Sequence, residues 1–416
     1  MTLSEGGRLV DHCRICKGSR LTEFLSLGVQ PHCNSFLRED ELADPEGRWP
    51  LDLLYCEDCS LVQLSCVVDP EIMFRNYVYV SGTTKTLPAH FRDSAAELIR
   101  RTGAPAGSLA VDIGSNDGTF LQAFKDAGMQ VVGVDPATNV AQIANDRGIE
   151  TRNDFFGERV AQDIRGEYGP AQFMTAAGVF FHIDDMDDVC RGVKTLLADD
   201  GVFEVQAIYL GGMLEHNAFD QVYHEHVSYY TLKPLIRLFE RFGLEVFDVG
   251  HSPIHGGSLL VYVGHGGAHP VQAAVPELLE HEHARGWDTI EPYREWARRV
   301  EVLRDDLVAT LADLRTQGKR VAGYGAPAKG NTLLNFCGLG RDELEYLAER
   351  APLKIGLYSP GMHLPVIDED EAMQDPPDFF LLLPWNFQDE LVRKNEEFTA
   401  SGGRFIVPIP SPAIVP

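Results

Sequence analysis

Four groups of residues in this chain have types and spacings that could do chemistry. The first is a pair of Cys-x-x-Cys turns, Cys13/Cys16 and Cys56/Cys59, separated by a long intervening segment. One such turn sets two thiolates about one edge of a zinc tetrahedron apart, and two turns complete it. Four sulfurs leave no open position for water, so the expected metal is structural Zn2+. A redox-active or merely buried cysteine pair is the competing reading, and His32 and Cys33 are spare ligands. The second group runs Asp112-Ile113-Gly114-Ser115-Asn116-Asp117-Gly118, where a strand ending in an acid enters a glycine turn that opens a helix. Glycine there lets the backbone approach a ligand closely. About twenty residues on, Asp135 ends the next strand, where an acid accepts the hydroxyls of an adenosine ribose. The D-x-G-x-x-x-G spacing favours S-adenosylmethionine (SAM) over a dinucleotide, with Asp154 on the adenine amino group and Phe155 on its ring face. A different nucleotide is the alternative.

The third group is Tyr223-His224-Glu225-His226-Val227-Ser228-Tyr229-Tyr230. It concentrates imidazoles, a carboxylate and phenols, a mix suited to proton abstraction because an imidazole titrates near neutrality. In a strand His224 and His226 would share a face; in a helix they would not. Metal ligation and a purely structural loop are the other two readings. The fourth group, Gly323-Tyr324-Gly325-Ala326-Pro327-Ala328-Lys329-Gly330-Asn331-Thr332, lies between a strand and a helix. Backbone amides at the helix start, with Lys329 beside them, would cradle a pyrophosphate, and Glu349 falls where a ribose-binding acid belongs. A plain tight turn is the alternative.

These groups need elements to hold them. Helical spacing begins at 88–101, and strand and helix then alternate: strands at 109–113, 131–134, 172–176 and 202–205, helices at 119–127, 140–147 and 186–197. That alternation predicts a parallel sheet covered by helices on both faces. A closing strand is expected at 258–263, a Gly/Pro/Ala-rich linker at 264–276, a long helix at 287–316 and a second, smaller α/β unit from 320, with strands at 379–383 and 404–407. The fold class is therefore α/β, in three domains: 1–80 around zinc, 81–263 around SAM, and 264–416 around a nucleotide. With 62 acidic against 36 basic residues in 416, the formal charge is −26. Such a chain lacks the basic footprint for nucleic acid or an anionic membrane, so small molecules are the expected partners. No apolar run is long enough to span a bilayer, and the first residues lack the form of a secretory signal. A cytoplasmic protein with reduced thiols is the expectation, and a monomer the working assumption.

The motifs CRIC (13–16), CEDC (56–59), FRNYVYVSGTT (74–84), DIGSNDGTF (112–120), AFDQVYHEHVSYYTL (218–232), HGGSL (255–259) and GYGAPAKGN (323–331) occur in that order. Together they resemble, over essentially the whole chain, the SAM-dependent sugar C-methyltransferase family of antibiotic deoxysugar biosynthesis. The resemblance implies an N-terminal zinc-binding domain, a central class I methyltransferase domain with a Rossmann-like sheet, and a smaller C-terminal Rossmann-like domain. The last would hold the dTDP group of a dTDP-linked 4-keto-deoxysugar through Tyr324, Gly325, Ala326, Lys329, Gly330, Asn331, Thr332, Glu349 and Arg350. It also implies methyl transfer to C-3′ through an enolate. His226 matches the general base, and Tyr223, Glu225, Tyr77 and His182 match polar residues lining the sugar site. Methylation at C-5′, or an NAD-dependent oxidation of a nucleotide sugar, fits the same motifs. Two stretches, 176–182 and 349–352, depart from the family pattern.

Overall fold

The computed structural model describes residues 4–74, 80–83 and 86–416. Its N-terminal part is built on a four-stranded antiparallel sheet ordered Ser228–Tyr229, Val62–Leu64, Arg48–Cys56, Leu21–Pro31. The two long strands were not legible as an alternating pattern, and the register explains why. Their pairing shifts between Glu23 and Leu25 and again between Ser26 and Val29, so the period of two is broken twice within one strand. The sheet's fourth strand comes from far away in sequence, immediately after the histidine cluster.

The central sheet has seven strands in the order Leu244–Ser252, Ser258–His265, Leu197–Ile208, Ala171–Ala177, Leu109–Ile113, Gln130–Val134, Thr151–Arg152. Only Ser258–His265 runs antiparallel to its neighbours. Leu109–Ile113 is buried along its whole length, as an apolar run covered on both faces must be. The chain reverses its direction of sheet growth between Leu109–Ile113 and Ala171–Ala177, which opens a crevice at the carboxyl ends of the strands. The C-terminal sheet is ordered Val366–Asp368, Leu347–Glu349, Val321–Tyr324, Phe379–Leu382, Arg404–Val407, Ala413–Val415, with only the last strand antiparallel.

One expectation about the division of the chain needs correction. Residues 264–276 are not a free linker. The strand continues to His265, the Gln272 amide donates to the Phe247 carbonyl (2.7 Å), and helix Ala274–Ala284 follows at once. Glu282 of that helix accepts the Leu232 amide (2.9 Å) and the Tyr209 hydroxyl (3.1 Å), so the segment is fastened to the central layer. Its middle, residues 266–273, is mostly exposed, and the hold is made at its two ends. Next, helix Glu291–Thr316 buries Tyr293 and Trp296 against Phe24 and Tyr55 of the N-terminal sheet, with ring centroids 5.2–6.3 Å apart. One apolar core therefore runs through all three sheets. No helix among the described residues is long and apolar enough to cross a membrane.

A second core holds the crevice from behind. Phe91 stacks on Phe120 (4.5 Å), and Phe124 lies 5.3 Å from Phe173, which is fully buried. Phe173→Ala should cost about 3–5 kcal/mol through lost transfer energy and the cavity left behind, read as a lower midpoint in denaturant unfolding followed by circular dichroism.

Candidate active site

The four cysteines of the two Cys-x-x-Cys turns converge. Their sulfurs all lie within 4.8 Å of one another, with Cys13–Cys59 and Cys16–Cys56 at 3.5 Å, and all four are thiols. A tetrahedron with Zn–S bonds near 2.3 Å has edges of about 3.8 Å, so the donor set fits zinc and leaves no ligand position open. His32 and Cys33, the spare ligands, lie elsewhere, gathered with Glu225.

A cavity of about 760 Å³ opens between the central and C-terminal units. On the central domain it is lined by Gly114, Asn116, Asp135, Phe155, His182, Tyr223 and His226, and on the C-terminal domain by Pro327, Ala328, Lys329 and Asn386. Gly114 adopts φ +69°, and a Cβ there would meet the Val179 side chain at 2.6 Å. Only glycine fits this turn, and its backbone forms part of the cavity wall. Asp135 accepts the amides of Asn116 (2.7 Å) and Ala137 (2.8 Å), and burial pushes its carboxyl above the usual range against those two bonds. The loop, the acid and the volume suit an adenosine group.

Three acids expected at the cofactor turn away from it. Asp112 lies beneath the loop, where the Thr175 hydroxyl donates to it (2.6 Å) and burial raises its carboxyl to about 7. Asp117 binds the Thr119 hydroxyl and Arg147, with Gly118 beside it on the far side of the turn. Asp154 pairs with Arg159 on the surface, leaving its neighbour Phe155 alone at the cavity. The reason is common to all three: each carboxylate has a closer donor on its own side of the backbone.

The histidine cluster is neither strand nor helix. Residues 223–226 form a turn closed by the His226 amide on the Tyr223 carbonyl (2.8 Å), and its side chains diverge. His224 points into the N-terminal sheet, its Nε2 on the Trp49 carbonyl (3.2 Å), and burial lowers its imidazole to about 4. Glu225 points the same way and so does not line the cavity. Its Oε1 accepts from His32 Nε2 (3.0 Å) and Asn34 Nδ2 (2.6 Å). Burial opposes its ionisation, yet His32, His182 and Asn34 together outweigh burial and hold the carboxyl down at about 2. His226 faces the cavity together with Tyr223, their rings tilted against each other with centroids 3.8 Å apart. Its Nδ1 donates to the Gln221 carbonyl (2.8 Å), so the neutral ring carries its lone pair on Nε2. His182, 5.1 Å away ring to ring, is fixed in the same tautomer by the Glu225 carbonyl (2.6 Å), and burial keeps its imidazole below the ordinary value. Tyr77 lies outside the described residues.

In the C-terminal unit, Gly325 at φ +81° turns the chain out of strand Val321–Tyr324 toward helix Ala328–Cys337. Lys329 enters the cavity wall with its ammonium on Asn386 Oδ1 (2.6 Å), 3.7 Å from Asp220 and 4.4 Å from the Trp385 ring centre. Burial draws it below the usual lysine range while Asp220 opposes the shift. Other residues of the motif face elsewhere. Tyr324 accepts from Asn395 (2.9 Å), Asn331 donates to the Cys33 carbonyl (2.7 Å), and Gly330 packs on Leu383, next to buried Thr332. Glu349 accepts the amides of Ala326 (2.9 Å), Arg350 and Ala351, and Arg350 pairs with Glu369 (2.9 Å).

Several contributors had no visible sequence signal. Gln221 acts through its carbonyl, Gln206 reaches the cavity from the end of strand Leu197–Ile208, and Asn386 follows strand Phe379–Leu382, the fourth of the C-terminal sheet in sequence order, after the turn at Pro384. The position of Gln206 at a strand's carboxyl end was the one available hint.

Three family models match the chain: a zinc binding domain over residues 13–74, a methyltransferase domain over residues 89–249, and a C-methyltransferase C-terminal domain over residues 253–410. The C-methyltransferase NovU of Streptomyces niveus is 39% identical over 409 residues, which is 98% of this chain and 97% of NovU. Among solved structures, a SAM-dependent methyltransferase from Anabaena variabilis is 17% identical with a TM-score of 0.34, covering 42% of this chain and 84% of that one. The magnesium protoporphyrin IX methyltransferase of Synechocystis is 14% identical with a TM-score of 0.33, covering 43% and 79%.

Glu225 makes a pH-dependent contribution whose sign follows from its depressed carboxyl. The stabilisation is complete above the ordinary glutamate range and is lost as pH falls from about 4.5 through about 2. Glu225→Gln should therefore melt well below the wild type at pH 7, by an amount in the range of about 3–5 kcal/mol for one broken member of a buried pair. Thermal scans at pH 7 and pH 3 should show the gap narrowing at the lower pH.

Proposed function

Because the chain belongs to the sugar C-methyltransferase family and uses SAM as methyl donor, we propose that it methylates C-3′ of a dTDP-linked 4-keto-deoxysugar through an enolate made by His226. One observation carries this reading. Two imidazoles with fixed tautomers stand in a single cavity whose lining also bears Asp135 from the central unit and Lys329 from the C-terminal unit. The acidic side, with Asp184, Asp185 and Asp188 also in its lining, suits a cationic donor, and the Lys329 side suits an anionic handle.

A carbon beside a ketone becomes nucleophilic only after losing a proton, and in water that proton is weakly acidic. The Nε2 lone pair of His226 takes it, while the Nδ1–H bond to the Gln221 carbonyl steadies the imidazolium that forms. Charge gathers on the C-4′ oxygen, where one good donor contributes about 3–4 kcal/mol. Among the described residues Tyr223, whose ring lies against His226, is the phenol placed to donate. When bound, SAM supplies an electrophilic methyl on a sulfonium centre. The Gly114 loop and Asp135 would hold the adenosine end, with Phe155 in the same lining. Lys329 and the first amides of helix Ala328–Cys337 hold the pyrophosphate and so fix the sugar's register against His226. His182, neutral and nearby, binds a sugar hydroxyl or carries a second proton. Glu225 has no part in the chemistry; it seats the turn.

Incubation with SAM and a panel of dTDP-4-keto sugars, followed by mass spectrometry and NMR, tests the reading. A new carbon-bound methyl at C-3′ is expected; one at C-5′ would relocate the reaction. His226→Asn should lose about 10²–10⁴-fold in turnover, the usual contribution of a positioned base, while binding SAM and dTDP as before. Near-normal turnover would remove His226 from the role.

A further inference from the structure

The cysteine knuckle touches the catalytic cavity through one side chain. Arg14 sits between Cys13 and Cys16 and is only 3% exposed. Its Nε donates to Asp184 Oδ1 (2.9 Å), a cavity-lining residue two positions after His182. Its Nη1 donates to the Leu64 carbonyl (3.1 Å). The amide of Leu64 donates in turn to the carbonyl of Val227 (3.1 Å), the residue after His226, and the amide of Val227 donates to the carbonyl of Phe181 (2.9 Å), the residue before His182. A single guanidinium thus closes a hydrogen-bonded circuit through both histidine-bearing loops. The knuckle adds a second hold on the same segment: Lys17 pairs with Asp187 (3.2 Å), and Arg241 bridges Asp187 to the Ile15 carbonyl. Arg8 also reaches Asp184 (2.6 Å), but it is largely exposed, so water screens that pair.

We propose that Arg14 is a positioning residue for proton abstraction: anchored in the cysteine knuckle, its planar fork sets His182 and His226 relative to one another. The zinc-binding site then does more than hold its own domain together, because the turn that carries two of its ligands also carries the arginine that places the base loop. The inference rests on the reading that these imidazoles serve the sugar. It goes beyond that reading in assigning a role to a residue outside the cavity. Geometry requires arginine specifically. Two acceptors on different loops are met at once by Nε and Nη1, which a lysine ammonium on a flexible stem cannot reproduce.

The test uses the full-length, zinc-loaded chain as wild type, Arg14→Lys, Asp184→Asn and the double variant, with zinc content measured for each. Imidazole NMR signals of His182 and His226, recorded with ¹⁵N-histidine and no substrate, should move in Arg14→Lys while zinc stays bound. Turnover should fall by about 10–100-fold, as when a supporting partner behind a reactive ligand is removed, with KM for both substrates little changed. The double variant should be no slower than Arg14→Lys alone, since one interaction is lost only once. Should Arg14→Lys fail to fold, Asp184→Asn carries the same NMR test from the other end of the bond. Unmoved histidine signals, additive losses in the double variant, or a variant whose only defect is released zinc would each overturn the proposal. The NMR readout needs no sugar, so it stays separate from the methylation assay: no methylated product from wild type would sink the functional reading instead.

Discussion

The carboxylate of Glu225 is 2% exposed, ionised, and enclosed by donors from a domain almost two hundred residues earlier in the chain. A buried charge of this kind is tolerable only while every partner stays in place. The turn it belongs to therefore has one seat. From that seat the rest of the site follows. His224 plugs into the Trp49 carbonyl, the backbone of Glu225 fixes the tautomer of His182, and His226 is left as the one histidine of the cluster that enters the cavity. The strand Ser228–Tyr229 then completes the N-terminal sheet, so the same segment both finishes one domain and equips another.

The two Rossmann-like units use one device twice. In the central unit Asp135, at the end of the second strand, accepts the Asn116 amide of the glycine loop after the first strand. In the C-terminal unit Glu349, at the corresponding place, accepts the Ala326 amide of its own loop. In each case a carboxylate pins a turn that hydrophobic packing alone would leave loose. The surroundings differ. The first loop opens into a cavity lined by several aspartates, and the second delivers Lys329 to the same lining from the C-terminal unit. Charges of both signs contributed by different domains would let a cationic donor and an anion-bearing ligand meet in a fixed order. In a chain of net charge −26 a lysine such as Lys329 has to be placed locally, because the global field repels anions.

Much of this was legible in the sequence where the signal was local. Strand–turn–helix spacing located Gly114, Asp135 and Lys329, and the paired Cys-x-x-Cys turns located four converging thiols. What could not be read was orientation. Asp112, Asp117 and Asp154 occupy expected positions in the chain, but each side chain answers to a neighbour, Thr175, Arg147 or Arg159, whose proximity only the fold reveals. Glu225 belongs to the same class: its partners His32 and Asn34 come from another domain. The N-terminal strands were hidden for a different reason, since bulges erased the alternation that marks a strand. The segment 264–276 reads as a linker because its middle is exposed, while the partners that fasten its ends, Phe247, Leu232 and Tyr209, lie elsewhere in the sequence.

The most direct test of this account is the structure of the enzyme with S-adenosylhomocysteine and a dTDP-linked 4-keto sugar bound together. The account predicts a nucleotide diphosphate beside Lys329, adenosine against the Gly114 loop, and the sugar's C-3′ within about 3.5 Å of His226 Nε2 on one face and of the thioether sulfur on the other. A sugar ring lying beyond the reach of His226, or a single pocket taken by adenosine and thymidine in turn, would contradict it.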